Sequence, residues 1–212
     1  MPVSPQALDA ARIRQELAAT RIPGDPLAVS SALVRRILPA DMARDLRGNL
    51  RPAGVLVPII LRRDALSVLL TERASDLRNH AGQVSFPGGG MEEQDRDIAA
   101  TALRETYEEV GIHPSEVDIA GFLRPTPTVT GYAVTPVIGL IAPTITLTVD
   151  PVEVEATFEV PLDYLMDRRN EEHSEREYNG VKVPVVTFHY GGYRIWGATA
   201  GILVQLREIL IK

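Results

Sequence analysis

Gly88-Gly89-Gly90-Met91-Glu92-Glu93-Gln94-Asp95 leads, through Arg96-Asp97, into Ile98-Ala99-Ala100-Thr101-Ala102-Leu103-Arg104-Glu105-Thr106-Tyr107-Glu108-Glu109-Val110-Gly111. A glycine-rich turn therefore feeds a segment with helical apolar spacing. The pattern predicts a helix from about Asp97 to Val110, closed by Gly111 in the position where a left-handed residue ends a helix. At roughly 100° per residue, Glu108 falls near −60° and Glu109 near +40° from Glu105, so the three carboxylates share one face. Leu103, Tyr107 and Val110 fall opposite, where a core would receive them.

Carboxylates at these spacings repel one another, and a bound cation would relieve the repulsion. Oxygen-only ligands suit a hard ion, Mg²⁺ or Mn²⁺, of the kind held jointly with substrate phosphates. Gly88, Gly89 and the rest of the loop add backbone N–H groups that favour anions at a helix entry. Together these parts suit metal-assisted attack of water on a phosphoanhydride. A solvated acidic helix face is the plain alternative. Two other motifs are excluded. A phosphate-binding P-loop would need Gly-Lys-Ser/Thr, but Met91 follows Gly90. An EF-hand from Asp95 would need Gly and Glu where Ala100 and Thr106 stand.

Around this centre the chain reads as mixed. Val55–Leu61 and Leu66–Thr71 are apolar, β-branched runs joined by Arg62-Arg63-Asp64, the pattern of a hairpin. Asp118–Leu123, Ala133–Val149 and Lys182–Tyr190 read as further strands, and Ala198–Ile211 as a helix. Asp167–Gly180 is charged and reads as an exposed loop or hairpin tip. Ser4-Pro5 looks like a helix start before Leu8, Ala11, Ile13 and Leu17, and a second amphipathic stretch covers Ala28–Leu38. Consecutive strands without βα alternation predict an α+β or layered α/β/α domain. The expected organisation is an N-terminal helical arm over 1–50 and a catalytic domain over 51–212.

Composition bounds the function. The 212 residues carry 45% hydrophobic and 24% charged side chains, as a folded domain does. A net charge of −6 disfavours a general nucleic-acid or anionic-membrane partner. Without cysteine there is no thiolate ligand, thiol nucleophile or disulfide. The N-terminus has no apolar core of signal-peptide length, and the longest uncharged run, Pro125–Val149, holds four prolines, so a cytoplasmic protein with no membrane span is expected. Seven acids stand against two arginines between Glu92 and Glu109, a local excess of five (7 − 2) that nearly equals the net charge of −6 of the whole chain.

Gly89-x5-Asp95-x8-Arg104-Glu105-x2-Glu108-Glu109-x-Gly111-Ile112 resembles the Nudix box of pyrophosphohydrolases. The general box has Glu at the position of Asp95, one residue fewer before Arg-Glu, and a larger apolar residue in place of Thr106. The aspartate and the longer spacing are similar to the coenzyme A pyrophosphatase branch. So is the upstream run Leu69-Leu70-Thr71-x-Arg73, then Leu77-Arg78-x-His80-x-Gly82-Gln83-Val84-x-Phe86-Pro87-Gly88-Gly89, although Ala74 replaces the usual serine. Thr130-Gly131-Tyr132, Glu153-Val154 and Ile195-Trp196-Gly197-x-Thr199-Ala200 also resemble this branch.

The resemblance implies an α/β/α sandwich with a mixed sheet. It also implies Mg²⁺- or Mn²⁺-dependent cleavage of the diphosphate of coenzyme A to 3′,5′-ADP and 4′-phosphopantetheine. Glu105, Glu108 and Glu109 would be metal ligands, and Arg104 would orient a glutamate. Glu153 would add a ligand or act as general base, a role for which Glu108 competes. Arg73, Arg78, His80, Gln83, Phe86, Gly88 and Gly89 would contact substrate. For Arg73 and Arg78 a surface ion pair is the alternative, and for Gln83 and Phe86 loop packing. Trp196 would pack in the core or stack on adenine. Asp95 and Glu92 would extend the acidic site or cap the helix. ADP-ribose, NADH or a nucleoside triphosphate would be the alternative substrates. A catalytically silent ligand-binding module is the alternative outside catalysis. An arm-exchanged homodimer is compatible with the sequence.

Overall fold

The apolar run at Val55–Leu61 forms the inner part of β1 (Arg51–Leu61), and every further element of the domain is arranged around that strand. In the computed structural model, which describes residues 8–37, 50–75, 82–178 and 180–211, β1 pairs on both sides. On one side its end meets β2 (Leu66–Arg73) in the expected hairpin, with Ile59 opposite Val68, and its start meets β4 (Gly88–Gly90), with Gly54 opposite Gly89. On the other side it runs parallel to β7 (Tyr132–Ile141) along ten paired positions. β3 (Val84–Ser85) and β8 (Val154–Pro161) pair antiparallel with β2, while β5 (Val117–Phe122) and β6 (Thr126–Pro127) pair antiparallel with β7. The result is an eight-stranded mixed sheet.

Alternation along β1 and β7 loads both faces. Leu56, Ile60, Val137 and Ile141 pack with Ala99, Ala102 and Val110 of α3 (Ile98–Val110). Val57, Ile59, Ile138 and Leu140 face the second layer. That layer holds α1 (Ala10–Leu17), α5 (Gly197–Leu210) and an antiparallel sheet of β9 (Glu172–Tyr178), β10 (Val181–Tyr190) and β11 (Tyr193–Trp196). The architecture is the expected α/β/α sandwich with a mixed sheet. Ile13 and Leu17 of α1 are fully buried in this core, so the first helix is part of its packing. α2 (Pro26–Ile37) follows α1, and α4 (Leu162–Met166) follows β8. No helix among the described residues is long and apolar enough to cross a membrane.

Several elements differ from the sequence expectation. The strand expected over Ala133–Val149 stops at Ile141, and the stretch after it turns away to cover the end of α3. Asp167–Gly180 is no simple loop: β9 forms in it despite its charges, because β10 supplies a complete ladder of backbone partners. β8, β11 and the glycine strand β4 are absent from the expected strands, although Val154, Ala156, Phe158 and Val160 alternate with polar residues along β8. Ser4 and Pro5 lie outside the described residues, and the described α1 starts at Ala10 with Asp9 as its cap. Tyr107, expected in the core, is 52% exposed and meets His113 edge-on, since the buried arc of α3 runs instead through Thr106 and Val110.

Candidate active site

Helix α3 begins and ends as its sequence requires. Asp97 accepts the Ala100 N–H at 2.8 Å, and Gly111 adopts φ +75° with its N–H on the Tyr107 carbonyl at 2.9 Å. Two further carbonyls at this end are satisfied by a distant segment: Thr148 N–H donates to Val110, and Asp150 N–H to Glu109, each at 2.9 Å. The segment then turns, with Glu153 N–H on the Asp150 carbonyl, and the Glu153 carbonyl accepts the Ala74 N–H at 2.9 Å. Glu153 is thereby fixed between the end of α3 and the end of β2.

The three helical glutamates share a face but not an environment. Glu109 is 2% exposed; burial pushes its carboxyl up to about 8, Arg73 opposes the shift, and the charges of Glu153 and Glu105 add to it. Its Oε2 is buried without a hydrogen-bond partner among the described residues. Glu105 is 16% exposed, and its carboxyl is raised first by burial and further by Glu108 and Glu153, against the pull of Arg104. Glu108 is 55% exposed. The glycine strand explains the close approach: a Cβ on Gly89 would lie 2.5 Å from the Glu105 carboxylate. Gly88 sits at φ +152°, and its backbone hydrogen-bonds to Glu109. Gly54, opposite Gly89, lets α3 lie directly on β1, since a Cβ there would meet the Ile98 carbonyl at 2.4 Å.

Arg104 joins these parts. Its Nε and Nη2 grip the two oxygens of Asp95 at 2.9 and 3.0 Å, and its Nη1 lies 3.0 Å from both Glu105 Oε1 and Glu108 Oε2. Asp95 is buried and also accepts the Glu92 N–H and the Thr101 hydroxyl; Arg104, then these donors, hold its carboxyl down to about 2. Asp95 is thus an anchor for Arg104, and Asp97, not Asp95, caps the helix.

Arg73, at the end of β2, turns inward with a guanidinium nitrogen 3.6 Å from Glu109 Oε1, an ion pair with the buried acid. The Gln83 carbonyl accepts the Arg73 N–H at 3.0 Å, which ties the returning loop to β2. Phe86 is packed in the main core at 4% exposure, as the loop-packing alternative describes. Arg78 and His80 lie outside the described residues.

The donor set fits a hard divalent cation: carboxylate oxygens only, burial and then mutual repulsion that raise Glu105 and Glu109, and an unpartnered buried oxygen on Glu109. Among the described residues no three carboxylate or imidazole groups converge into a ready-made shell. Arg104 engages Glu105 and Glu108, and Arg73 engages Glu109, so each of the three carboxylates has a cationic partner.

The NUDIX domain model matches residues 50–182. The chain is 42% identical over 171 residues to the uncharacterized Nudix hydrolase NudL of Enterobacter sp. (strain 638), covering 81% of this chain and 88% of that protein. It is 42% identical over 182 residues to NudL of Cronobacter sakazakii, covering 85% and 94%. A MutT/nudix family protein from Enterococcus faecalis aligns in structure with a TM-score of 0.48 and 14% identity, over 88% of this chain and 74% of that one.

Proposed function

The chain belongs to the Nudix family, and from that premise we propose that it is a metal-dependent pyrophosphohydrolase that cleaves coenzyme A to 3′,5′-ADP and 4′-phosphopantetheine. The observation that carries the hydrolytic reading is the buried, partly unpartnered Glu109 flanked electrostatically by Glu105 and Glu153 beside the glycine strand. The coenzyme A reading rests on the motif from Leu69 to Gly89, whose Arg73 and Gly88 both reach Glu109.

Glu105, Glu108 and Glu109 would hold Mg²⁺ or Mn²⁺. When bound, the ion supplies charge neutralisation at the diphosphate and a more acidic water. The chain's own residues do the rest. Arg104, braced on Asp95, keeps Glu105 facing Gly89. Arg73 offsets the buried charge of Glu109. Glu153 takes the proton from the attacking water: its carboxylate makes no hydrogen bond among the described residues, whereas Glu108 is engaged by Arg104. Water oxygen bonds to phosphorus, the bridging P–O bond breaks, and the leaving phosphate carries the electron pair. Small molecules, not nucleic acids or membranes, are the partners, and the site would act in the cytoplasm.

The test is incubation of the protein with coenzyme A, ADP-ribose, NADH and a nucleoside triphosphate, each with Mg²⁺ and with Mn²⁺, with products resolved by chromatography. Release of 3′,5′-ADP at the highest kcat/KM of the panel is expected. Faster turnover of another compound would reassign the substrate. Binding without hydrolysis of any would mark a silent ligand-binding module.

A further inference from the structure

The only tryptophan of the chain lies on the outward side of the small sheet. Along β10 and β11 the buried residues Phe188 and Ile195 point into the core, so alternation sends Trp196 to the other face, opposite Thr187. There the Arg176 guanidinium lies 4.2 Å from the indole centre and the Arg194 guanidinium 5.3 Å from it. Both arginines are exposed, and neither has a carboxylate partner among the described residues. On that face Glu172 is occupied by His189 at 2.9 Å. Glu175 and Glu177 leave β9 on the opposite side from Arg176. In an acidic chain, two unpaired guanidiniums gathered on one indole form a local site for an aromatic anion.

The small sheet is joined to the strand that precedes the glycine strand. β11 lies against β3, and the Thr199 hydroxyl, just after Trp196, donates to the Val84 carbonyl at 3.0 Å. Ser85, Phe86 and Pro87 join Val84 to the glycine strand that carries Gly88 and Gly89.

We propose that Trp196, Arg176 and Arg194 form a subsite for a purine ring bearing a phosphate monoester, an inference that rests on the coenzyme A reading above. The purine takes the place on the indole that a guanidinium now holds. The displaced guanidinium, together with Arg194, pairs with the phosphate, for which bidentate arginine contacts are suited. Coenzyme A carries this combination at the end remote from its thiol, while dephospho-coenzyme A lacks the phosphate.

Because Trp196 is the sole tryptophan, its fluorescence reports on the subsite without turnover. Titration of the Mg²⁺-loaded protein with 3′,5′-ADP should quench tryptophan emission, at about tenfold lower concentration than 5′-AMP does. 4′-Phosphopantetheine should leave it unchanged. In R176Q/R194Q the tenfold difference should vanish, and the ratio of kcat/KM for coenzyme A over dephospho-coenzyme A should fall by a similar factor. W196F should retain that ratio. No quenching at concentrations of 3′,5′-ADP that saturate product inhibition, or an unchanged substrate ratio in R176Q/R194Q, overturns the subsite. Absence of coenzyme A hydrolysis by the unaltered protein would instead overturn the proposed activity, and quenching by 3′,5′-ADP would then still stand as evidence for the site.

Discussion

The guanidinium of Arg73 stands 3.6 Å from Oε1 of Glu109, joining the last residue of β2 to the most buried acid of α3. Burial alone would keep that acid protonated, and Arg73 moderates the shift. Replacing Arg73 by Gln should therefore raise the Mg²⁺ concentration needed for half-maximal activity and move the acid limb of the pH–rate profile to higher pH. A rise in KM for substrate with an unmoved profile would make Arg73 a substrate contact instead.

The folded protein holds a proton on Glu109 up to about pH 8, whereas the unfolded chain releases it near the ordinary glutamate value of 4.5. Between these values the folded state binds more protons, so metal-free stability falls as pH rises through the window. Glu109→Gln removes the cost. In chelator, its stability should match the unaltered protein near the lower value and exceed it by on the order of 3 kcal/mol near the upper one. Denaturant titrations at several pH values measure this, and parallel curves would refute the linkage. With metal, the same variant should lose turnover by orders of magnitude.

Gly88 and Gly89 are adjacent but should respond differently to alanine. At Gly89 the new Cβ meets only the end of the Glu105 side chain, which can swing away. G89A should remain folded and lose about 100-fold in kcat through displacement of Glu105. At Gly88 the positive φ is joined by a Cβ approach of 2.4 Å to the Gly54 carbonyl, so G88A should lower the melting temperature or fail to fold. Thermal melts and steady-state kinetics on the two variants separate the effects.

Asp95 contributes in the opposite pH range. Its folded value of about 2 lies below the ordinary 3.8, so its stabilisation is present above 3.8 and is lost as pH falls through about 2. Asp95→Asn should cost roughly 3 kcal/mol at neutral pH by leaving Arg104 without its bidentate partner, with the difference shrinking in acid. Arg104→Lys should not restore activity, because an ammonium cannot span Asp95, Glu105 and Glu108 together. Acid titrations and kcat values check both.

Glu153→Gln should lower kcat by about 10²- to 10⁴-fold, as loss of a general base does. Glu108→Gln should chiefly raise the metal requirement. The reverse pattern would exchange their roles.

Much of the site could be read from the chain. Asp97, the helical spacing and Gly111 determine where α3 starts and stops, because capping and periodicity act within a few residues. The same spacing puts Glu105, Glu108 and Glu109 on one side. It does not reveal that one is buried, one half-covered by a glycine strand and one exposed, since those differences come from β4 and β2. Tyr107 is exposed for the same reason: a helical wheel gives angles, but the sheet beneath decides which arc is covered.

The sequence by itself determined the helix, the carboxylate spacing, the apolar strands and the glycines that permit close approach, all of them local properties of the backbone and its side chains. Only the tertiary structure decided that Glu153 stands beside Glu105 and Glu109, that Asp95 fixes Arg104, and that Arg73 meets Glu109. Glu153 arrives because backbone N–H groups of Thr148 and Asp150 cap α3. Almost any residue can supply such donors, so they leave no side-chain signature by which to recognise the contact in advance.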